Sequence, residues 1–133
     1  DFWGLTACDA LPEGYRAHTP GVGEDFGTIA PTAALSSMPY TPEESMAVLK
    51  NLYRNLGSVA FGIMGFYDAV NLSLGEPRST ESYIAIDQGP ILVMIENHRN
   101  ATVWNAFMKK NDIRRGLDRL GFTINHKTIE YTK

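Results

Sequence analysis

A single cysteine, Cys8, in 133 residues has no partner within the chain, which excludes a fold held by internal disulfides. Histidine is nearly as scarce. His18, His98 and His126 lie far apart, without the ligand spacing of a zinc site, so no metal is expected. No apolar run reaches membrane-spanning length, so no membrane insertion is expected. Basic residues are few through most of the chain: residues 1–107 hold 12 acids against 5 bases, and residues 108–133 hold 3 acids against 7 bases. A net charge of −3 gives no reason to expect nucleic acid, and the acidic portion suits neutral polar ligands better than anions. The basic end reads as a solvated helix face. Cofactor signatures are missing too. Gly21-Val22-Gly23 follows no strand and lacks the rest of a dinucleotide fingerprint, and Ser36, Ser37 and Cys8 sit in no nucleophile elbow.

What is present is a 44% hydrophobic chain, enough for one domain with a core. No charged-then-apolar segment opens it. The apolar, aromatic start Asp1-Phe2-Trp3-Gly4-Leu5-Thr6 reads instead as a piece of something longer. Residues 1–29 read as a long irregular loop punctuated by Pro12, Gly14, Pro20, Gly21, Gly23 and Gly27. Residues 30–38 are small and helix-compatible, with Pro31 in the first turn. Thr41-Pro42-Glu43-Glu44 opens a second helix as N-cap, first position and capping box. Met46, Leu49, Leu52, Tyr53 and Leu56 then form its apolar face, and Gly57 stops it. Residues 57–88 form a second long connection.

The next stretch organises the rest. Pro90 fits the first position of a helix, and Ile91 to Ile95 follow without a polar break. An all-round apolar helix belongs in an interior, so a buried helix is expected from Pro90 to about Met108. Asp87 and Gln88 then stand at its mouth, where unpaired N–H groups make the field positive. Helix capping and polar-ligand binding both explain a carboxylate there. A last helix is expected from near Asp112 to Gly121, with Ile113, Leu117 and Leu120 inward, followed by a tail with a possible short strand.

The order is loop, inner helix, short link, outer helix, twice over. Antiparallel hairpins stacked this way bring both long loops to one end, where loops carry function. Those loops hold 8 of the 14 aromatics, among them Trp3, Tyr15, Tyr67 and Tyr83, beside Asp9, Glu24, Asp25, Asp68 and Asp87. Aromatic faces with carboxylate acceptors suit sugar rings; aromatics packing down on helix ends explain the same composition. Glu96 and Arg99 are spaced to pair on one helix face. Asn71-Leu72-Ser73 and Asn100-Ala101-Thr102 match the glycosylation pattern, the second inside the expected buried helix.

Six runs, in order along residues 3 to about 122, carry a family resemblance: Trp3-Gly4-Leu5-Thr6-Ala7, Gly27-Thr28-Ile29-Ala30-Pro31-Thr32-Ala33-Ala34, Met38-Pro39-Tyr40-Thr41-Pro42-Glu43, Gly65-Phe66-Tyr67-Asp68-Ala69, Ile86-Asp87-Gln88-Gly89-Pro90 and Met94-Ile95-Glu96-Asn97. Through them the chain resembles the C-terminal portion of the glycoamylase-like family, which includes bacterial endo-β-1,2-glucanases and a domain of cyclic β-1,2-glucan synthases. The resemblance implies an all-α fold, part of an (α/α) toroid of helical hairpins, with residues 1–133 forming one segment of a larger glycoside hydrolase domain. It implies a β-glucan substrate, β-1,2-linked first, a periplasmic or secreted bacterial location, and packing against the remainder of the same polypeptide. The complete catalytic pair of carboxylic groups that glycoside hydrolysis requires is expected to lie partly outside this chain. Asp87 is the first candidate, as a hydroxyl acceptor or an assistant in catalysis, and Asp68 the second. Tyr67, Gln88 and Asp25 join them as sugar-binding residues, with Trp3 and Tyr15 as stacking platforms. A non-catalytic glycan-binding module, a transglycosylating domain of cyclic β-1,2-glucan synthesis and a purely structural helical domain are the alternatives.

Overall fold

The computed structural model describes residues 2–12, 14–21 and 26–122. Asp25, Glu24 and the expected C-terminal strand lie outside the described residues. The chain divides into two compact units between Asn100 and Ala101.

In the first unit, β1 (Cys8–Ala10) pairs antiparallel with β2 (Gly14–Arg16), placing Asp9 opposite Tyr15. β3 (Thr28–Ile29) leads into the short helix α1 (Pro31–Leu35), which starts on Pro31 as the sequence suggests. Turns carry the chain to α2 (Pro42–Asn51), which continues through a wider π turn, Leu52–Leu56, to Gly57 at φ +52. Thr41 stands at the start of α2 but makes no capping bond; its hydroxyl instead meets Ser37 O and Ser45 Oγ. The capping-box expectation is therefore corrected. Tertiary burial of Ser45 draws the Thr41 hydroxyl away from the helix N–H groups.

The second connection is a set of short strands: β4 (Phe61–Gly62), β5 (Gly65–Phe66), β6 (Val70–Asn71) and β7 (Arg78–Ser79). β4 and β5 form a hairpin, and β6 is the middle strand of an antiparallel sheet with β3 and β7. The helical core thus carries three small sheets where the sequence reads as irregular loop. Strands of two or three residues are too short for alternation to reveal them. Asn71 ties this region together. It is buried, and its amide donates to Leu11 O, Phe26 O and Thr28 Oγ1, while its Oδ1 accepts the Ser73 N–H at 2.8 Å.

The core joins Ala34 and Leu35 of α1 to Val48 and Leu52, with Ala60, Phe66 and Val70 beneath the strands. Burying each of the larger of these side chains contributes about 1.5–3 kcal/mol. Small residues in α1 let α2 and α3 pack on it from two sides. Of the apolar face expected for α2, Leu49 and Leu56 pack on the core, whereas Met46 and Tyr53 are exposed. Val48 and Ser45 hold the inward direction instead.

α3 (Ala85–Asn100) begins a turn earlier than Pro90 suggests, so Pro90 lies inside it. The early start rests on Ile84 O, which accepts the N–H groups of Asp87 and Gln88, both at 3.0 Å. The expectation of a helix buried all round is also corrected: Leu92 is 74% exposed, and only Asp87 and Asn97 are buried. Among the described residues of this unit α3 packs chiefly on α1, which covers one face. Glu96 accepts the Asn100 side-chain amide.

The second unit holds α4 (Thr102–Met108) and α5 (Asn111–Arg119). The single helix expected to Met108 is thus two, broken where Ala101 adopts φ +53. Phe107 is exposed rather than buried, as is Leu120. α5 ends as the sequence suggests. Gly121, at φ +77, donates its N–H to Asp118 O, and Phe122 N–H reaches Leu117 O at 3.0 Å, a Schellman closure.

Candidate functional site

The start of α3 meets the β1–β2 hairpin and the segment after β5 at a cluster of carboxyl groups. Asp68, between β5 and β6, is 1% exposed; Asp87, in the first turn of α3, is 8% exposed. Their positions are fixed by backbone bonds rather than by the carboxyl groups themselves. Asp87 O accepts the Thr32 hydroxyl of α1 at 2.7 Å. Gln88, next along α3, donates its side-chain amide to Phe66 O at 2.8 Å, which fastens the β4–β5 hairpin to the helix beside Asp87.

Asp68 Oδ2 accepts the Asp9 backbone N–H at 2.6 Å. Among the described residues no donor reaches Asp68 Oδ1 or Asp87 Oδ2, both buried. Burial pushes Asp68 up to about 6; the Asp9 N–H opposes the rise, while the neighbouring Asp87 and the charge of Asp9 add to it. A carboxyl group that keeps its proton up to about pH 6 can donate to an oxygen in mildly acidic solution, and a carboxylate beside it can accept a hydroxyl. Cys8, buried alongside, has its thiol pushed up to about 12 by burial first and then by Asp68, Asp87 and Asp9. It stays protonated and is no nucleophile. Among the described residues no group of three His, Cys, Asp or Glu side chains is arranged to hold a metal ion.

Tyr67 and Tyr83 form the next layer. Their rings lie 5.2 Å apart at 47°, and their hydroxyls converge over Gly62, where a Cβ would collide with both. The Tyr83 hydroxyl accepts the Met64 N–H at 3.3 Å. Partial burial and the neighbouring Tyr83 hold the Tyr67 hydroxyl above its ordinary range.

The structure thus gathers Tyr67, Asp68, Asp87 and Gln88 into one region. Tyr15 is 58% exposed on β2, opposite Asp9 in the hairpin. Trp3 goes elsewhere. It packs against the main core and lines an open hollow of about 430 Å³ with Phe2, Glu43, Glu44 and Ala47. The residues that hold these carboxyl groups in place carry no local sequence signal: Asp9 reads as one loop acid among several, Thr32 only as part of a family run, and Ser82 and Thr80 as ordinary loop residues. Asp9 and Asp68 are separated by 59 positions, and Asp9 and Ser82 by 73, so no local spacing could reveal them. The buried sequon at Asn71 is an internal donor and not a surface acceptor site.

Comparison with known proteins gives a consistent answer. An exo β-1,2-glucooligosaccharide sophorohydrolase (non-reducing end) of Parabacteroides distasonis is 44% identical over 120 residues, which is 90% of this chain and 16% of that protein. The endo-β-1,2-glucanase of Chitinophaga pinensis, solved with sophorotriose and glucose, is 46% identical with a TM-score of 0.82, over 90% of this chain and 28% of its own. A β-1,2-glucanase structure from Parabacteroides distasonis is 45% identical with a TM-score of 0.81, over 89% of this chain and 16% of its own. The chain therefore spans less than a third of the length of each relative. A family profile described as "Putative glucoamylase" matches residues 1–111, and the chain belongs to this glycoamylase family.

Proposed function

We propose that these residues form part of a glycoside hydrolase that cleaves β-1,2-glucan, and that they supply a wall of its cleft and sugar-binding subsites. The observation that carries the reading is the pair of buried carboxyl groups, Asp68 and Asp87, with Tyr67 and Gln88 as their chain neighbours and Tyr83 against Tyr67. Such a group can donate to and accept from sugar hydroxyls at once, with an aromatic layer beside it. The names of the relatives support the substrate class. Asp87 serves as hydroxyl acceptor or assists catalysis, Asp68 is its partner, Tyr67 and Gln88 contact the sugar, and Tyr15 is a stacking platform on the hairpin rim. Trp3 belongs to a separate hollow in this reading, and Asp25 retains its proposed sugar contact from the sequence alone.

The α1–α2 hairpin is in this view one element of an (α/α) toroid, and the remainder of the polypeptide covers the open face of α3 at Leu92 and supplies the rest of the catalytic carboxyl groups. A periplasmic or secreted bacterial location accompanies the substrate. Assay of the complete protein on β-1,2-glucan, with and without Asp87→Asn, tests the reading. Hydrolysis that falls at least tenfold in the variant is expected. Binding of the glucan without cleavage by the parent protein would make this a glycan-binding module, and chain transfer without net hydrolysis would make it a transglycosylating domain.

A further inference from the structure

Asp68 is caught in a closed ring of hydrogen bonds that the proposed chemistry does not by itself require. Its N–H donates to Ser82 O at 3.0 Å, and its Oδ2 accepts from the Asp9 N–H at 2.6 Å. The ring closes through side chains, since Ser82 Oγ donates to Asp9 Oδ2 at 2.8 Å. Thr80 Oγ1 lies 2.7 Å from Ser82 Oγ and 3.2 Å from Asp9 O. The carboxylate of Asp9 can only accept, so the single Ser82 proton is committed to it. The single Thr80 proton then faces two acceptors, Asp9 O and Ser82 Oγ.

We propose that Ser82 is a positioning residue for the Asp68–Asp87 pair, acting through Asp9. By anchoring the Asp9 carboxylate it holds the Asp9 N–H on one oxygen of Asp68 and leaves the other oxygen turned to Asp87. The groups facing Asp68 are Asp87 from α3 and Asp9 and Cys8 from β1. None of them is cationic, so the Asp9 N–H supplies the opposing stabilisation of the ionised form. Without Ser82, the Asp9 segment loosens, the N–H moves off Asp68, and the pair keeps its proton to higher pH.

The inference rests on the glycosidase reading for its activity arm but not for its spectroscopic one. In the complete protein, the pH profile of kcat/KM on β-1,2-glucan is compared for the parent, Ser82→Ala and Ser82→Thr. Ser82→Ala should move the limb belonging to the pair upward by roughly half a unit to one unit, and Ser82→Thr, which keeps the hydroxyl, should restore it. Thr80→Val, which removes the hydroxyl that meets both Ser82 Oγ and Asp9 O, should move the limb the same way by less and covers the case in which Ser82→Ala fails to fold. An unchanged limb in both Ser82→Ala and Thr80→Val, or a Ser82→Thr profile shifted as far as Ser82→Ala, overturns the proposal. If the parent does not cleave the glucan, the glycosidase reading fails alone. Infrared titration of the protonated carboxyl band then reads the same shift, and its absence in Ser82→Ala refutes the positioning role directly.

Discussion

The backbone N–H of Asp9 lies 2.6 Å from Oδ2 of Asp68, across 59 positions of sequence. The bond divides the work of the two carboxyl oxygens of Asp68. One is held by the hairpin, and the other is buried with no donor among the described residues.

A pH-dependent stability follows from Asp68. Its folded value of about 6 lies above the ordinary value of about 3.9, so the folded state holds the proton more tightly than the unfolded chain. The contribution of the group to stability is full below about pH 4 and is lost as pH rises through about 6. Asp68→Asn cannot ionise. Its Tm relative to the parent should therefore rise by roughly 2–4 °C between about pH 4 and about pH 7. Thermal scans of the complete protein at the two pH values check this, and a Tm difference that does not change with pH contradicts it.

Asn71 is the joint between the first loop and the β3–β6–β7 sheet. Asn71→Ala removes the donor serving Leu11 O, Phe26 O and Thr28 Oγ1 and should cost about 2–4 kcal/mol. Urea unfolding measures it. A loss below about 0.5 kcal/mol would show that water replaces the amide without penalty.

At Gly62 the prediction concerns affinity rather than folding. A methyl group added there meets the hydroxyls of Tyr67 and Tyr83, and swinging the ring tips aside is easier than moving backbone. Gly62→Ala should raise KM on β-1,2-glucan oligomers several-fold while Tm changes by less than about 3 °C. An unchanged KM would remove the tyrosine pair from the sugar-binding surface.

Two leucines on neighbouring helices test what covers α3. Leu35, fully buried in α1, should cost about 2–5 kcal/mol on truncation to alanine. Leu92, 74% exposed in this unit, should cost about 2 kcal/mol in the complete protein if the rest of the polypeptide packs over it, and under about 0.5 kcal/mol otherwise. Denaturant titrations of the two variants separate the cases.

Local signals were readable in the sequence where a few adjacent residues decide the structure. Pro31 opening α1, the Gly57 stop and the Gly121 closure of α5 are all of this kind. Pro90 misled because a proline that suits a first turn is also tolerated inside a helix whose earlier turn is held from elsewhere. That earlier turn is held by Thr32 and Phe66, 55 and 22 positions away from their partners. The apolar run of α3 pointed to burial all round, whereas among the described residues only Asp87 and Asn97 of the helix are buried. Asp87 and Asp68 could be singled out by their addresses, whereas the ring that orients them is assembled only by the fold.

The place of Asn71 has a practical bearing on production in a eukaryotic secretory host. The transferase there meets Asn71-Leu72-Ser73 while the nascent chain is still open, before Asn71 is enclosed. A sugar attached to that nitrogen would occupy the donor that three acceptors share, and no route remains to bury it. Glycosylated material from such a host should be trapped short of the native state, and replacing Ser73 with alanine should recover secretion.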